Sequence, residues 1–217
     1  MTQALSPAPG DQRVVLFGPT TLWSALLADR LSSVGTQLVK LPDSFDANDW
    51  NAWEDFAATC AQGDRPVTGL IAWAPELPVR KLVAMDAAGV SDDLDAALDP
   101  IVYFARHLAP LLGNGGTLTL ITSSLSEAGA CGNVAGAVIA GGLRMLAKSI
   151  AIEFGPRGVR SNSLHLPIDA NGQLLSGRTA VTPETIASLV LFLLSPEARF
   201  VSGADIQAGS MLKGKSR

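Results

Sequence analysis

Side chains able to do chemistry are scarce in this sequence. Its 217 residues include two histidines, His107 and His165, two cysteines, Cys60 and Cys131, and a single tyrosine, Tyr103. The histidines stand 58 positions apart, with no cysteine or carboxylate at ligand spacing, so no zinc centre is expected. Neither cysteine has metal or redox spacing around it. Ser123 and Ser124 close an apolar run, but Gly-x-Ser-x-Gly is not present and no base is nearby, so they read as ordinary strand-end hydroxyls. His165 ends another apolar run and is placed to face the mouth of a sheet, although a histidine there more often has a structural role. Gly18 follows Arg13–Phe17, where a strand-to-helix turn presents backbone amides to a phosphate.

Those positions need a scaffold, and the chain patterns as one. It is 47% apolar and 17% charged, with Gly and Pro at 21 and 13, which excludes disorder and low complexity across the chain. Sixteen basic residues against twenty acidic ones give a net charge of −4, with no basic stripe to neutralise a row of phosphates. Nucleic-acid binding is therefore not expected. The N-terminus lacks the apolar core of a secretory signal. The longest apolar helix candidate, 134–154, carries Arg144, Lys148 and Glu153 and does not read as a membrane span, so no membrane partner and a reducing cytoplasm are expected.

Apolar runs alternate with amphipathic ones. Strands are expected at 13–17, 37–41, 67–73, 117–122, 160–166 and 204–208. Helices are expected after a cap at Thr20 or Thr21, then over 49–60, 92–112, 134–154 and 183–194. Gly89 falls in a loop on this reading, and Pro100 in a first helical turn. The pattern predicts α/β architecture, with a doubly wound parallel sheet covered on both faces. Residues 13–209 form the domain, 1–12 a flexible lead-in and 210–217 a basic tail.

Four segments in order then carry a family resemblance: Gly116–Ser124 (GTLTLITSS), Ala147–Phe154 (AKSIAIEF), Pro156–Asn162 (PRGVRSN) and Leu193–Asp205 (LLSPEARFVSGAD). This set resembles the short-chain dehydrogenase/reductase family, from about Val14 to Ala208. The resemblance implies a Rossmann-like domain, NAD or NADP as cofactor, and a catalytic serine followed by Tyr-x-x-x-Lys. Ser123 takes the serine position, but the tyrosine and lysine positions fall on Gly136 and Ala140, which can do neither job. The family's G-x-x-x-G-x-G turn is here Gly18, Leu22 and Ser24, and its Asn-Asn-Ala-Gly is Ala72-Trp73-Ala74-Pro75. Gly18 by itself reads as a turn residue before it reads as a cofactor contact. The stretch between Leu41 and Asp49 is one α/β unit short, leaving six strands, and the connection from Pro167 to Pro183 is short for a substrate lid.

The expectation is a chain without its own dinucleotide chemistry, with no bound cofactor, or NAD or NADP if the crevice still works. The helices that the family uses for pairing, 95–112 and 134–154, are retained, which points to a homodimer, a tetramer or a hetero-oligomer with an active homologue. Small residues at Gly136, Ala137, Ala140, Gly141 and Gly142 suit either close helix pairing between chains or packing on the chain's own sheet. Two other readings stay open: an unorthodox oxidoreductase using Ser123 with His165, and a small-molecule sensor using the vacated crevice. Lys40 would favour NADP over NAD if a dinucleotide bound.

Overall fold

The computed structural model describes residues 12–75, 77, 80–124, 131–167 and 181–209. Among these residues six strands are present: β1 (Arg13–Phe17), β2 (Gln37–Val39), β3 (Gly69–Trp73), β4 (Thr117–Ser123), β5 (Arg160–Leu166) and β6 (Asp205–Gln207). They form one sheet in the order β2-β1-β3-β4-β5-β6, with every neighbouring pair parallel. The chain runs outward from β1 to the β2 edge, then crosses back to β3 and builds the other half. Ligands in open α/β sheets bind at the strand ends where this reversal falls.

The five helices are α1 (Leu22–Ser33), α2 (Trp50–Ala61), α3 (Ala87–Leu108), α4 (Val134–Phe154) and α5 (Pro183–Leu194). Helices α2, α3 and α4 cover one face, where Val15, Leu70, Ala72, Leu118 and Leu120 meet Trp53, Phe104, Leu143 and Ala147. Helices α1 and α5 cover the other, where Val14, Ile71, Ile121 and Leu164 meet Leu27, Leu31, Ile186 and Val190. With both faces covered, the central strands β3, β4 and β5 are buried almost throughout, although β4 and β5 carry several polar residues. Aromatic rings fill the α2–α3 side: Phe17 lies 5.0 Å from Trp53 and 5.5 Å from Phe104, edge-on to the first and stacked on the second.

Several boundaries differ from the sequence reading. Helix α3 begins at Ala87, not Asp92, because Asp86 accepts a hydrogen bond from the Gly89 amide at 2.8 Å and caps it. Gly89 is therefore in a helix and not in a loop. Pro100 sits in the helix interior, buried, and not in a first turn. The carbonyl it leaves without an amide belongs to Ala96, which faces solvent, so water can serve it. Strand β3 starts two residues late because the Thr68 hydroxyl takes over a ladder position, accepting from the Arg13 amide at 3.0 Å.

Helix α4 has the length and apolarity of a membrane-crossing helix. Ile139, Ala140, Leu143, Ala147 and Ile150 lie buried in the fold. A second face remains exposed, with Val134, Val138, Met145 and Ile152 along it. The small-residue stripe divides between the two. Ala140 is fully buried within the chain, whereas a Cβ on Gly141 would meet nothing within 4 Å.

Candidate functional site

The strand ends nearest the reversal are those of β1 and β3. Gly18, at the end of β1, has φ +137°, and a Cβ there would stand 2.5 Å from the Trp73 carbonyl oxygen. The close approach of β3 thus demands a glycine whether or not a nucleotide binds. Four residues on, helix α1 closes its own N-terminus. The Thr21 hydroxyl accepts from the Ser24 amide at 3.1 Å, and the Ser24 hydroxyl accepts from the Thr21 amide at 2.8 Å while donating to the Pro19 carbonyl at 2.8 Å. This capping box satisfies two of the four orphan amides that a phosphate would otherwise use. Of the two threonines proposed as caps, Thr21 does the work.

The turn that should be bare backbone carries Ser24 in its capping role. Trp73, only 4% exposed, stands at the end of β3 in the same apolar cluster that Trp23 packs against. Beside this turn lies an open cavity of about 550 Å³ between the ends of β1 and β2, whose lining includes Leu16, Gly18, Thr20, Ala28, Lys40 and Phe45.

Ser123 lies half-buried at the end of β4, opposite Leu166 in the β4–β5 register. The next pair back is Thr122 with His165. Successive strand residues face opposite sides, so Ser123 shares its side with Leu166, and His165 shares the other with Thr122. His165 is fully buried and does not face the mouth of the sheet. Its Nδ1 meets the Ser123 main-chain carbonyl at 3.3 Å, and its Nε2 lies 2.7 Å from Asp205 Oδ1 on β6. Asp205 in turn pairs with Arg144 of α4, Nε to Oδ2 at 2.9 Å. The group expected as a base is thus a link in a polar chain from β5 through β6 to α4. Its ring contacts the serine's carbonyl from the opposite side of the sheet.

On α4, Gly136 is half-buried and Ala140 fully buried. Tyr103 packs on the other side of α3, its ring 5.2 Å from that of Trp50 on α2. Burial, and then the neighbouring Asp99 carboxylate, push its phenol above the ordinary value. The connection after β3 is stitched to the start of α4: the Arg80 amide donates to the Gly132 carbonyl at 2.7 Å, and its guanidinium pairs with Asp93 of α3 at 3.1 Å. Sequence reasoning missed this strap, since Arg80 and Asp93 share no motif. The connection 168–180, read as a shortened lid, lies outside the described residues. Among the described residues no three His, Cys, Asp or Glu groups converge on a metal position.

A family model described as enoyl-(acyl carrier protein) reductase matches residues 25–171. The chain belongs to this family of short-chain dehydrogenases/reductases. It is 31% identical over 126 residues to the cyclohexanol dehydrogenase of Acinetobacter sp. (strain SE19), covering 52% of this chain and 50% of that protein. It is 35% identical over 102 residues to the trans-4-hydroxycyclohexanecarboxylate dehydrogenase of Sinomonas cyclohexanicum, covering 42% and 39%. The chain thus spans about half the length, or less, of these curated relatives. Among solved structures, a dehydrogenase/reductase from Sinorhizobium meliloti 1021 superposes with a TM-score of 0.79 at 20% identity, over 90% of this chain and 92% of that one. A short-chain oxidoreductase from Pseudomonas aeruginosa PAO1, described as containing an atypical catalytic centre, gives 0.79 at 16% identity, over 96% and 98%. At these identities the structural matches speak to the fold alone.

Proposed function

We propose that this chain is a non-catalytic member of the family, a structural or regulatory subunit that pairs with itself or with an active homologue. The observation that carries the reading is on α4, where Gly136 and Ala140 stand 13 and 17 residues after Ser123 and the second is fully buried. In the parent chemistry a phenol moves the proton and an ammonium lowers its pKa. A hydrogen and a methyl group supply neither. The self-capped turn at Thr21 and Ser24 and the bulk of Trp73 act in the same direction, against a bound NAD or NADP. The engagement of His165 with Asp205 and with the Ser123 carbonyl disfavours the alternative in which it serves Ser123 as a base.

Pairing would use the exposed face of α4 (134–154), with Val138, Met145 and Ile152 at intervals of seven, and the neighbouring exposed Val102 of α3. Residues seven apart on a helix lie along one stripe, so this face suits a second helix. The decisive experiment is an assay of the purified chain with NADH and NADPH, and with the oxidised forms and cyclic alcohols. No turnover is expected, and a measurable rate lost in Ser123→Ala would establish the unorthodox enzyme instead. Thermal unfolding supplies the binding half of the test. A dinucleotide at a hundred times its Kd would add about 2.7 kcal/mol and raise Tm by roughly 5–10 °C. The expected result is no shift.

A further inference from the structure

The turn that leads into β4 holds a pair of residues able to react with each other. Asn114 is followed by Gly115, and only here and at Asn171–Gly172 does the sequence place glycine after asparagine. In such a pair the glycine amide nitrogen attacks the asparagine Cγ, since no side chain on the glycine crowds the approach. The new N–Cγ bond closes a five-membered imide as the Cγ–Nδ2 bond breaks and ammonia leaves. Water then opens the ring at either carbonyl, giving aspartate or its backbone-shifted isomer. Asn114 is exposed, so water is at hand.

The fold withholds the nucleophile. The Gly116 amide closes the turn on the Gly113 carbonyl at 2.9 Å, with Gly115 at φ +84° as such a turn requires. The Gly115 amide, which is the attacking group, donates to the Gly158 carbonyl at 3.0 Å. The Asn114 carboxamide lies against the Gly158 α-carbon, where a Cβ would overlap its Oδ1. Gly158 is held in turn by its own amide, which donates to the Gly155 carbonyl at 2.8 Å. Beside it, Arg157 donates to the Pro110 and Leu112 carbonyls at 2.8 and 3.1 Å. Both reacting groups are thus fixed by the segment that enters β5, where Thr117 of β4 pairs with Arg160.

We infer that Asn114 is a deamidation site that Gly158 keeps shut, so that it reacts only when the turn parts from the segment entering β5. An amide engaged in a hydrogen bond must release it before it can lose its proton and attack, as in amide exchange. The rate therefore follows the open fraction of this end of the sheet. No residue of the candidate site takes part, so the inference stands apart from the non-catalytic reading.

The test is incubation of the full chain at mildly alkaline pH, native and in guanidinium chloride, with both asparagines followed by peptide mass mapping. In denaturant, Asn114 and Asn171 are expected to deamidate at rates within threefold of each other. In the native chain, Asn114 is expected to react at least tenfold more slowly than in denaturant. Gly158→Ala, with folding checked by circular dichroism, should raise the native rate at Asn114 at least fivefold and leave the denatured rate unchanged. Arg157→Ala keeps the Gly158 backbone and removes only its brace; it should act in the same sense, and it carries the test if Gly158→Ala does not fold. Equal native and denatured rates at Asn114 would overturn the shielding. A slow native rate that every folded variant leaves unchanged would overturn Gly158 as its cause, and an Asn114 that survives in denaturant would overturn the site itself.

Discussion

Gly18 shows how one residue can look functional for a structural reason. Its φ of +137° and the 2.5 Å approach of a Cβ to the Trp73 carbonyl fix glycine there without reference to a cofactor. Gly18→Ala is expected to cost about 1–3 kcal/mol of stability, read by urea unfolding, with the same loss in the presence and absence of NADH. A loss that vanished with NADH would make Gly18 a cofactor residue. His107 makes a second residue-scale prediction. Burial, followed by the Arg106 charge, holds its imidazole below the ordinary 6.5, against a smaller opposing pull from Glu54, and its ring centroid lies 4.4 Å from that of Trp50. A base with a depressed folded pKa binds fewer protons folded than unfolded, so stability is full above 6.5 and declines as pH falls below it. His107→Gln should flatten the stability profile just below pH 6.5, as measured by chemical denaturation across pH. Glu184 and Glu197, held low chiefly by the Thr182 and Ser195 hydroxyls, act in the same sense at more acid pH, below 4.5.

At the scale of elements, the polar chain His165–Asp205–Arg144 ties strand β6 to β5 and to helix α4. Asp205→Asn leaves the Arg144 guanidinium and the His165 ring facing a neutral amide. Fully buried pairs lose about 3–5 kcal/mol when one partner goes. Here Arg144 and Asp205 keep side-chain exposures of 24% and 22%, so a loss of about 1–3 kcal/mol is expected, with faster amide exchange in β6 as its local signature. This tie was not legible in the sequence, because its members lie on three elements and no short-range spacing connects them. The elements themselves were legible. Val134–Phe154 and Pro183–Leu194 stand where the apolar periodicity put them, and the parallel sheet follows from strands such as Gly69–Trp73 that are apolar on both sides. The start of α3 was misread because Gly89 and Pro100 are poor helix residues, yet the Asp86 cap and a solvent-facing Ala96 carbonyl accommodate them. In the candidate site, the motif positions were countable along the chain, whereas the burial of His165 and the strap at Arg80 depend on register and on contacts between distant segments.

For the whole molecule, the exposed face of α4 sets the fourth prediction. Val138 and Met145 are 52% and 57% exposed, on a helix whose opposite face is core. Met145→Glu should shift the chain toward monomer in sedimentation or light scattering while leaving its circular dichroism unchanged. An unchanged mass would remove α4 as the pairing surface. If an active homologue is the partner, co-expression with wild-type and M145E chains should give a complex with the first and none with the second. Among the described residues β2 is one edge of the sheet, at the place where the family resemblance implies one more α/β unit.

That edge decides what the outside world meets. Gln37–Val39 is now a border strand, and a border strand offers unpaired amides and carbonyls to any extended chain that drifts past. Only three residues long, it is followed at once by Lys40 and, two places further, by Pro42, which has no amide to give. The opposite border, Asp205–Gln207, is equally brief and carries a charge. Neither border among the described residues is long enough to be sticky, so resistance to edge-to-edge association at high concentration should depend on a lysine and a proline.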